Sequence, residues 1–461
     1  MVGCALLVLI GILRWPHQED SPSAAGSTTT NAARSREIGG NRATAQTRTS
    51  VHRSGSAPAP TPTAKEVVAG KVSQFGKSRR ELVRGIARRS QKEVPAEVER
   101  FFDAVESGHW EDIKAHWDAL AKKSGQYDHS EHAPELDPFW PAVLDAYGVA
   151  EQAHLWPAQK LLDYGQAILD SLRPGMVYVG GTDNGRWIPE LLNDTSGGEH
   201  HVIVTQNALA DGRYLDFVSE LYGEHLATLT QEDSQRVFQE YMADAQERLQ
   251  HDQQFPDEPK QVRLGEDIRV TDGKVQVSGQ VAVMAINERL LGMLMDKNPE
   301  RSFALQESFP LKGTYADALP LGPLMELRAQ DGDNTFNAER AEQSLDYWRN
   351  AAQQILLDPE AAGSPDTLKS YSHDTVAAAN LLGAHDFTAE AEEAYRLAAQ
   401  LWPENPESVL GLAGLFARSG RENEARQLVE EFTRQHPGLA KDFERMSALF
   451  HVTSPAQPGK P

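Results

Sequence analysis

The sequence predicts an α/β region, with a small and mostly parallel sheet and crossover helices, combined with all-α helical hairpins. Residues 174–225 alternate apolar strand patterns with loops and helix patterns, which is typical of parallel strands joined by crossover helices. Towards its carboxyl end the chain repeats itself with a period of 34 residues, which is typical of stacked helix–turn–helix units. At 461 residues the chain is long enough for two or three domains.

Charge is distributed unevenly along the chain. The formal net charge is −22, yet residues 1–100 hold 16 Lys or Arg against 8 Asp or Glu, so residues 101–461 are strongly acidic. Because an acidic surface repels phosphate backbones, we expect no nucleic-acid partner for the folded part. Cys4 is the only cysteine, which excludes an internal disulfide and a cysteine-based zinc site.

The amino terminus is apolar and is followed by a long polar segment. Residues 2–13 form an unbroken apolar run, which as a helix would be about 18 Å long, shorter than a hydrocarbon core of about 30 Å. We interpret residues 1–16 as the tail of a signal anchor that starts further upstream; a short hydrophobic arm is the alternative. Residues 17–64 are rich in small and polar residues and predict a disordered tether. The predicted location is the cell membrane, with a single-pass anchor and the bulk of the chain extracytoplasmic.

Residues 65–157 predict a helical region. Its first part, residues 65–93, is helix-compatible and basic, so it either lies on an anionic membrane surface or forms a solvated helix that leads into the domain. From Val94 the apolar spacing predicts a helical hairpin broken at Gly108. The apolar residues recur at three- and four-residue steps and are Val98, Phe101, Phe102, Val105, Trp110, Ile113, Trp117 and Leu120.

Residues 158–330 predict the α/β domain. A helix over 158–172 precedes two buried strands, at 176–179 and 201–204, and each strand is followed by a loop and a helix. The Asp272-Gly273 pair predicts a two-residue hairpin, after which Ser278 is the expected cap of a helix that runs to about Met295. Residues 302–305 and 324–327 are further strand candidates.

Polar residues follow both predicted parallel strands and form the candidate ligand site. The members are Asp183, Asn184, Arg186, Asn207, Asp211 and Tyr214. Loops that follow neighbouring parallel strands meet at the same sheet edge, where ligands usually bind. The alternative is that Asp183 and Asn184 only cap the helix at Trp187.

The sequence predicts no catalytic residues, metal site or cofactor. The spacing of His129, Glu131 and His132 in a polar loop is not typical of a metal site, and no Ser/His/Asp pattern indicates a nucleophile. No acid/base pair supports an enzyme.

The carboxyl-terminal repeat occupies residues 335–448, and residues 454–461 predict a disordered tail. Pairs of like residues lie 34 positions apart: Ala379 with Ala413, Ala391 with Ala425, and Pro403 with Pro437. This pattern resembles the tetratricopeptide repeat, a helix–turn–helix unit with small residues where its helices touch. Such units stack and offer a groove to another chain, so the resemblance implies a protein partner.

Three stretches in the middle of the chain also resemble a known family. They are Ala167 to Leu172 with Tyr178, Gly181 and Asp183-Asn184; Asn207-Ala208-Leu209-Ala210-Asp211 with Tyr214-Leu215; and Asn298-Pro299-Glu300-Arg301-Ser302-Phe303-Ala304. Over residues 160–327 the chain is similar to the soluble tail of bacterial polytopic membrane proteins of the glycosyltransferase-C-like, protein O-mannosyltransferase type. Thr182, Gly185 and Ser302 depart from the family pattern. The resemblance implies a soluble extracytoplasmic domain and does not transfer the catalytic activity.

Two functions follow as expectations. The first is a membrane-tethered extracytoplasmic scaffold that binds a protein partner through its repeats. The second is a glycan- or lipid-carrier-binding accessory protein of envelope glycosylation, which would use the loops at 180–187 and 205–214.

Overall fold

The computed structural model describes residues 62–127, 130–181, 183–263, 266–271, 274–306, 316–328 and 335–439. The predicted anchor at 1–16, nearly all of the tether at 17–64 and the tail at 454–461 lie outside these ranges. Within them, no helix combines the length and the apolar character needed to cross a membrane.

The described residues are mostly helical. The helices are α1 (Ala64–Ser90), α2 (Ala96–Ser107), α3 (Trp110–Ala121), α4 (Trp140–Leu155), α5 (Ala158–Ser171), α6 (Asp183–Asp194), α7 (Gly212–Tyr222), α8 (Gln231–Gln254), α9 (Gln280–Lys297), α10 (Ala338–Leu357), α11 (Pro359–Ala362), α12 (Pro365–Ala384), α13 (Thr388–Leu401), α14 (Pro406–Arg418) and α15 (Glu422–Gln435). The strands are β1 (Val177–Gly180), β2 (Val202–Thr205), β3 (Asp267–Thr271), β4 (Lys274–Ser278), β5 (Phe303–Leu305), β6 (Leu319–Leu321) and β7 (Leu324–Leu327).

Helix α1 is part of the core. Thr63 and Glu66 start it with a capping box, in which each side chain accepts a hydrogen bond from the other residue's N–H. One face carries buried apolar residues such as Phe75 and Val83, and the helix contacts α2, α4, α5 and α6. The prediction of a solvated or membrane-lying helix is therefore wrong, because the basic residues include Arg79, whose side chain is buried among carboxylates.

The main sheet is mixed rather than mostly parallel. Its strand order is β2-β1-β5-β7-β6; β1 is parallel to both β2 and β5, whereas β7 is antiparallel to β5 and β6. A tight turn at Gly322, with φ of +58°, joins β6 to β7 and makes this pair antiparallel. Strand β6 was not expected from the sequence, because Pro320 at its centre argues against a strand except at a sheet edge, which is where β6 lies.

The predicted hairpin is present as a separate two-stranded sheet. Strands β3 and β4 pair antiparallel, with Val270 opposite Val275. Ser278 does not cap α9: it ends β4, and Gly279, with φ of +98°, takes the cap position without a side-chain hydrogen bond.

One continuous hydrophobic core connects most of these elements. It includes Phe75 from α1, Tyr178 from β1, Leu290 from α9 and Leu381 from α12. Apolar residues of the predicted helical region (65–157) and of the predicted α/β domain (158–330) thus share one core. Helix α12 contributes to the same core.

Helices α12 to α15 form two helical hairpins stacked on each other, α12 with α13 and α14 with α15. The four alanines of the 34-residue register, Ala379, Ala391, Ala413 and Ala425, are all buried. Small side chains therefore lie where the helices touch, as the tetratricopeptide pattern predicts.

Candidate functional site

The two loops of the predicted ligand site meet at one edge of the sheet. Strands β1 and β2 are parallel neighbours, with Gly180 opposite Thr205, so both loops leave the sheet at the same end. The side-chain amide of Asn207 donates a hydrogen bond to the carbonyl oxygen of Gly181 and ties the second loop to the first.

Two candidate residues lie within the first turn of α6, because this helix begins at Asp183 and not at Trp187. Asp183 is exposed there, at a helix end that favours negative charge. Asn184 is half-buried, and its Nδ2 lies 2.5 Å from the hydroxyl oxygen of Ser370 in α12. The structure therefore places Asn184 in contact with the repeat region.

Asp211 has a structural role at the start of α7. It is the N-cap residue, and its carboxylate accepts a hydrogen bond of 2.9 Å from the backbone N–H of Arg213. A carboxylate in this position stabilises the helix end. The Asp211 carboxylate is therefore bonded within its own turn, at the start of α7.

Arg186 and Tyr214 are interior residues. The Arg186 guanidinium lies over the Tyr214 ring, 5.2 Å from its centroid, and only 8% of Arg186 is exposed. The Tyr214 hydroxyl accepts a 2.8 Å hydrogen bond from the backbone N–H of Thr205, and burial raises the pKa of Tyr214 to about 12. Both side chains hold β2 and α7 in place. Ligand binding by the six residues stays a prediction.

Arg186 belongs to a buried cluster of charges that joins α1, α4 and α6. Asp145 accepts from the guanidinium groups of Arg79 at 2.6 Å and Arg186 at 2.9 Å, while Glu190 lies 3.3 Å from Arg79 and 3.4 Å from Arg186. Asp194 accepts from Arg79 at 2.7 Å at the outer end of the cluster.

The pKa values of the two inner carboxyl groups, Asp145 and Glu190, are shifted in opposite directions. Burial raises the pKa of Glu190 well above its usual range, and the neighbouring charge of Asp145 raises it further. Burial opposes ionisation of Asp145 as well, but the guanidinium groups of Arg79 and Arg186 outweigh it, so the pKa of Asp145 is lowered. The cluster therefore favours the ionised form of Asp145 and opposes ionisation of Glu190.

Helix α12 covers the sheet edge with polar groups that the sequence did not point to. Asp374 accepts a hydrogen bond of 2.8 Å from the Tyr164 hydroxyl and one of 2.7 Å from Gln306 Nε2. Gln306 follows β5 directly, and its Oε1 accepts a 3.2 Å hydrogen bond from the N–H of Gly181. All three side chains are nearly fully buried.

Only a weak signal in the sequence could have indicated these residues. Asp145 is the sole charged residue in the apolar first half of α4, and such a lone carboxylate indicates a buried cationic partner. Asp374 offers no comparable signal, because its partner Tyr164 lies 210 positions away.

The first helices of the two hairpins, α12 and α14, present a polar face along the line where they meet. At one end of this line His373 Nδ1 of α12 lies 2.6 Å from a carboxylate oxygen of Glu407 in α14. At the other end the Arg418 side chain lies over Gly414 and reaches Gly383. Between them the Tyr395 hydroxyl donates to the side-chain oxygen of Asn380 at 2.5 Å. We call this surface the α12–α14 face.

The metal-binding residue types are spread over the described part of the fold. In the part of the chain that the structure describes, no group of three or more His, Cys, Asp and Glu side chains is placed to hold a metal ion. The buried charges of Arg79, Asp145, Arg186 and Glu190 pair with one another.

Comparison with known proteins agrees with the repeat assignment. Residues 381–449 match the family model of the tetratricopeptide repeat, which spans the end of α12 through α15 and continues beyond the described residues. No curated protein and no solved structure matches the chain. The resemblance of residues 160–327 to the glycosyltransferase-C-like family thus gains no support from these comparisons.

Proposed function

We propose that the chain is a membrane-tethered, extracytoplasmic scaffold that binds a protein partner through its tetratricopeptide repeats. The observation that carries the proposal is the pair of stacked hairpins with buried alanines in a 34-residue register. Repeats of this kind generally bind other polypeptides on an extended surface. The apolar run at residues 2–13 and the polar segment after it support the tether.

The α12–α14 face is the surface that fits this role best. It has polar groups from both first helices and little side-chain bulk, because Gly383 and Gly414 lie along it. A polypeptide backbone can approach closely where side chains are absent. The opposite face of the repeats differs, since Arg349, Arg421 and Arg396 pair there with carboxylates of α13 and neighbouring helices.

The small-ligand alternative has weaker support. The loops at 180–187 and 205–214 do meet, but α12 covers part of the edge between them and the carboxyl end of β5. A ligand the size of a sugar would have to displace this helix.

A pair of charge reversals tests the scaffold. Arg418→Glu changes the charge on the α12–α14 face, and we expect recovery of the partner in a quantitative pull-down to fall by about tenfold or more, since like charges placed across an interface are costly. Arg426→Glu is the matched control, because Arg426 is exposed on α15 away from this face. Equal losses with both variants, or none with Arg418→Glu, would show that this face does not bind the partner.

A further inference from the structure

The sheet edge holds a carboxylate in a way that suggests a binding site rather than a simple packing contact. Asp374 Oδ2 accepts a hydrogen bond from the Tyr164 hydroxyl at 2.8 Å, and Oδ1 accepts one from Gln306 Nε2 at 2.7 Å. Gln306 Nε2 also lies 3.0 Å from the Tyr164 hydroxyl oxygen, so the two donors lie side by side. The two donors come from α5 and from the end of β5, so the α/β region supplies them and the repeats supply the acceptor. This is the arrangement by which proteins bind a carboxylate ligand at two points.

The Gln306 side chain is held in place by its surroundings. Its Oε1 accepts a hydrogen bond from the Gly181 N–H, which turns Nε2 towards Asp374. Gly185 makes room for it, because a Cβ atom at that position would lie 1.7 Å from Gln306 Oε1. Any residue other than glycine would therefore displace the donor.

Tyr164 is kept as a donor. Burial raises the pKa of Tyr164 well above its usual value, and the charge of Asp374 raises it further, so the hydroxyl keeps its proton. Tyr164 is only 3% exposed and packs against Trp156 and Tyr371.

We propose that Tyr164 and Gln306 form a carboxylate-binding site at the sheet edge, which Asp374 of the repeats fills in the closed structure. Ser370 lies one helical turn before Asp374 on the same side of α12 and accepts from Asn184, so two contacts on one side of the helix close the edge. When this side of α12 lifts away, the same two groups can donate hydrogen bonds to the carboxylate group of a small organic acid.

The same helix also faces the second repeat. Ser372 donates to the carbonyl oxygen of Ala398 at 2.7 Å and accepts from Asn405 at 2.9 Å. Helix α12 is thus bonded on one side to the sheet edge and on the other to α13 and the start of α14. Opening of the site therefore moves the repeats relative to the sheet.

Formate tests whether the site binds carboxylates, because it can replace the carboxylate that is removed with the Asp374 side chain. Asp374→Ala leaves a space that formate can fill, and sodium formate should raise the melting temperature of this variant by about 2–4 °C over sodium chloride at equal ionic strength. Wild type and the control Asp366→Ala, which removes a carboxylate from the half-exposed start of the same helix, should not respond. Asp374→Ala/Tyr164→Phe should respond less, because one donor is gone. A formate effect of equal size in all four proteins, or none in Asp374→Ala, would overturn the proposal.

Opening is tested without any ligand, which also covers the case in which Asp374→Ala folds poorly. In a Cys4→Ser background, Ser370→Cys places a thiol at a position that is 6% exposed. Asp374→Asn or Gly185→Ala should speed labelling of this thiol by about tenfold or more, since each weakens the contact with Gln306. Asp366→Asn should leave the rate within about twofold. A second thiol, Ala413→Cys, reports unfolding of the repeats, so its labelling should stay slow in every variant. Equal acceleration of labelling at both thiols, or no acceleration at residue 370, would refute the closed site.

Discussion

Where α1, α4 and α6 meet, two guanidinium groups and two carboxyl groups lie out of contact with water. Arg79 and Arg186 both bond to Asp145, so each helix is bound to the others through one carboxylate. Isolated buried charges are costly, but a cluster in which each group has partners can fix how elements are arranged. The contacts of Arg79 with Asp145 and Glu190 link positions 66 and 111 residues apart along the chain, which is why Arg79 looks like an ordinary surface residue in the sequence.

Glu190 should make the protein less stable as the pH rises. Its pKa is raised in the folded state, so folding favours its protonated form, and the stabilisation is fully present below its unfolded pKa of about 4.3 and lost as the pH rises towards the folded value. Glu190→Gln cannot ionise and keeps nearly the same size and shape. The variant should therefore gain up to about 1.4 kcal/mol over wild type for each pH unit above 4.3, until the folded pKa is reached.

Urea unfolding of wild type and Glu190→Gln between pH 4 and pH 8 measures this difference. The two unfolding free energies should be closest near pH 4 and diverge as the pH rises. A constant offset at every pH would mean that folding does not raise the pKa of Glu190.

At the scale of secondary-structure elements, α14 shows how the repeat depends on missing side chains. A Cβ atom at Gly411 would stand 2.3 Å from Tyr395 Cε1, because the Tyr395 ring of α13 packs directly on the backbone of α14. At Gly414, one turn later, the nearest atom is the flexible end of Arg418 at 3.5 Å. There is therefore no room for a side chain at Gly411, whereas there is room at Gly414. The sequence alone does not distinguish the two positions.

Substitution of these two glycines by alanine should have opposite effects. Gly411→Ala should destabilise the repeats by about 1–3 kcal/mol through overpacking against Tyr395. Gly414→Ala should stabilise them by about 0.5–1 kcal/mol, because alanine is the better helix former and space is available. Thermal and urea unfolding of both variants provide the measurement; destabilisation of equal size in both would mean that α13 and α14 are packed differently.

Most elements could be predicted from local pattern, and the misses have physical causes. Apolar runs bounded by turns predicted β1, β2, β5 and β7, and the Ala and Pro spacing predicted the repeats. Pro320 concealed β6 because it reads as a strand breaker. In the candidate site, the convergence of the loops followed from parallel pairing, whereas the covering of the edge by Asp374 depends on a contact between distant parts of the chain that no local pattern encodes.

At the scale of the whole molecule, an acidic folded part follows an amino-terminal segment with the opposite charge balance. If residues 1–16 are an anchor, the full-length protein should sediment with membranes and remain there after a high-salt wash, since apolar insertion does not depend on ionic strength. Deletion of residues 1–16 should release the protein into the supernatant. Cell fractionation of both forms makes the measurement, and recovery of the intact, unprocessed full-length protein in the soluble fraction would contradict the tether.

The order of strands in the sheet has a consequence for how the protein is made. β1 lies between β2 and β5, and Val177 pairs with Phe303, so β1 needs a neighbour that is translated about 125 residues later. At about 5–20 residues per second, the ribosome takes roughly 6–25 s to supply it. During that interval the nascent chain carries an apolar strand with one unpaired edge, and Asp374, which completes the polar end of the sheet, emerges later still. We therefore expect the newly made chain to depend on chaperones until its repeats have been synthesised.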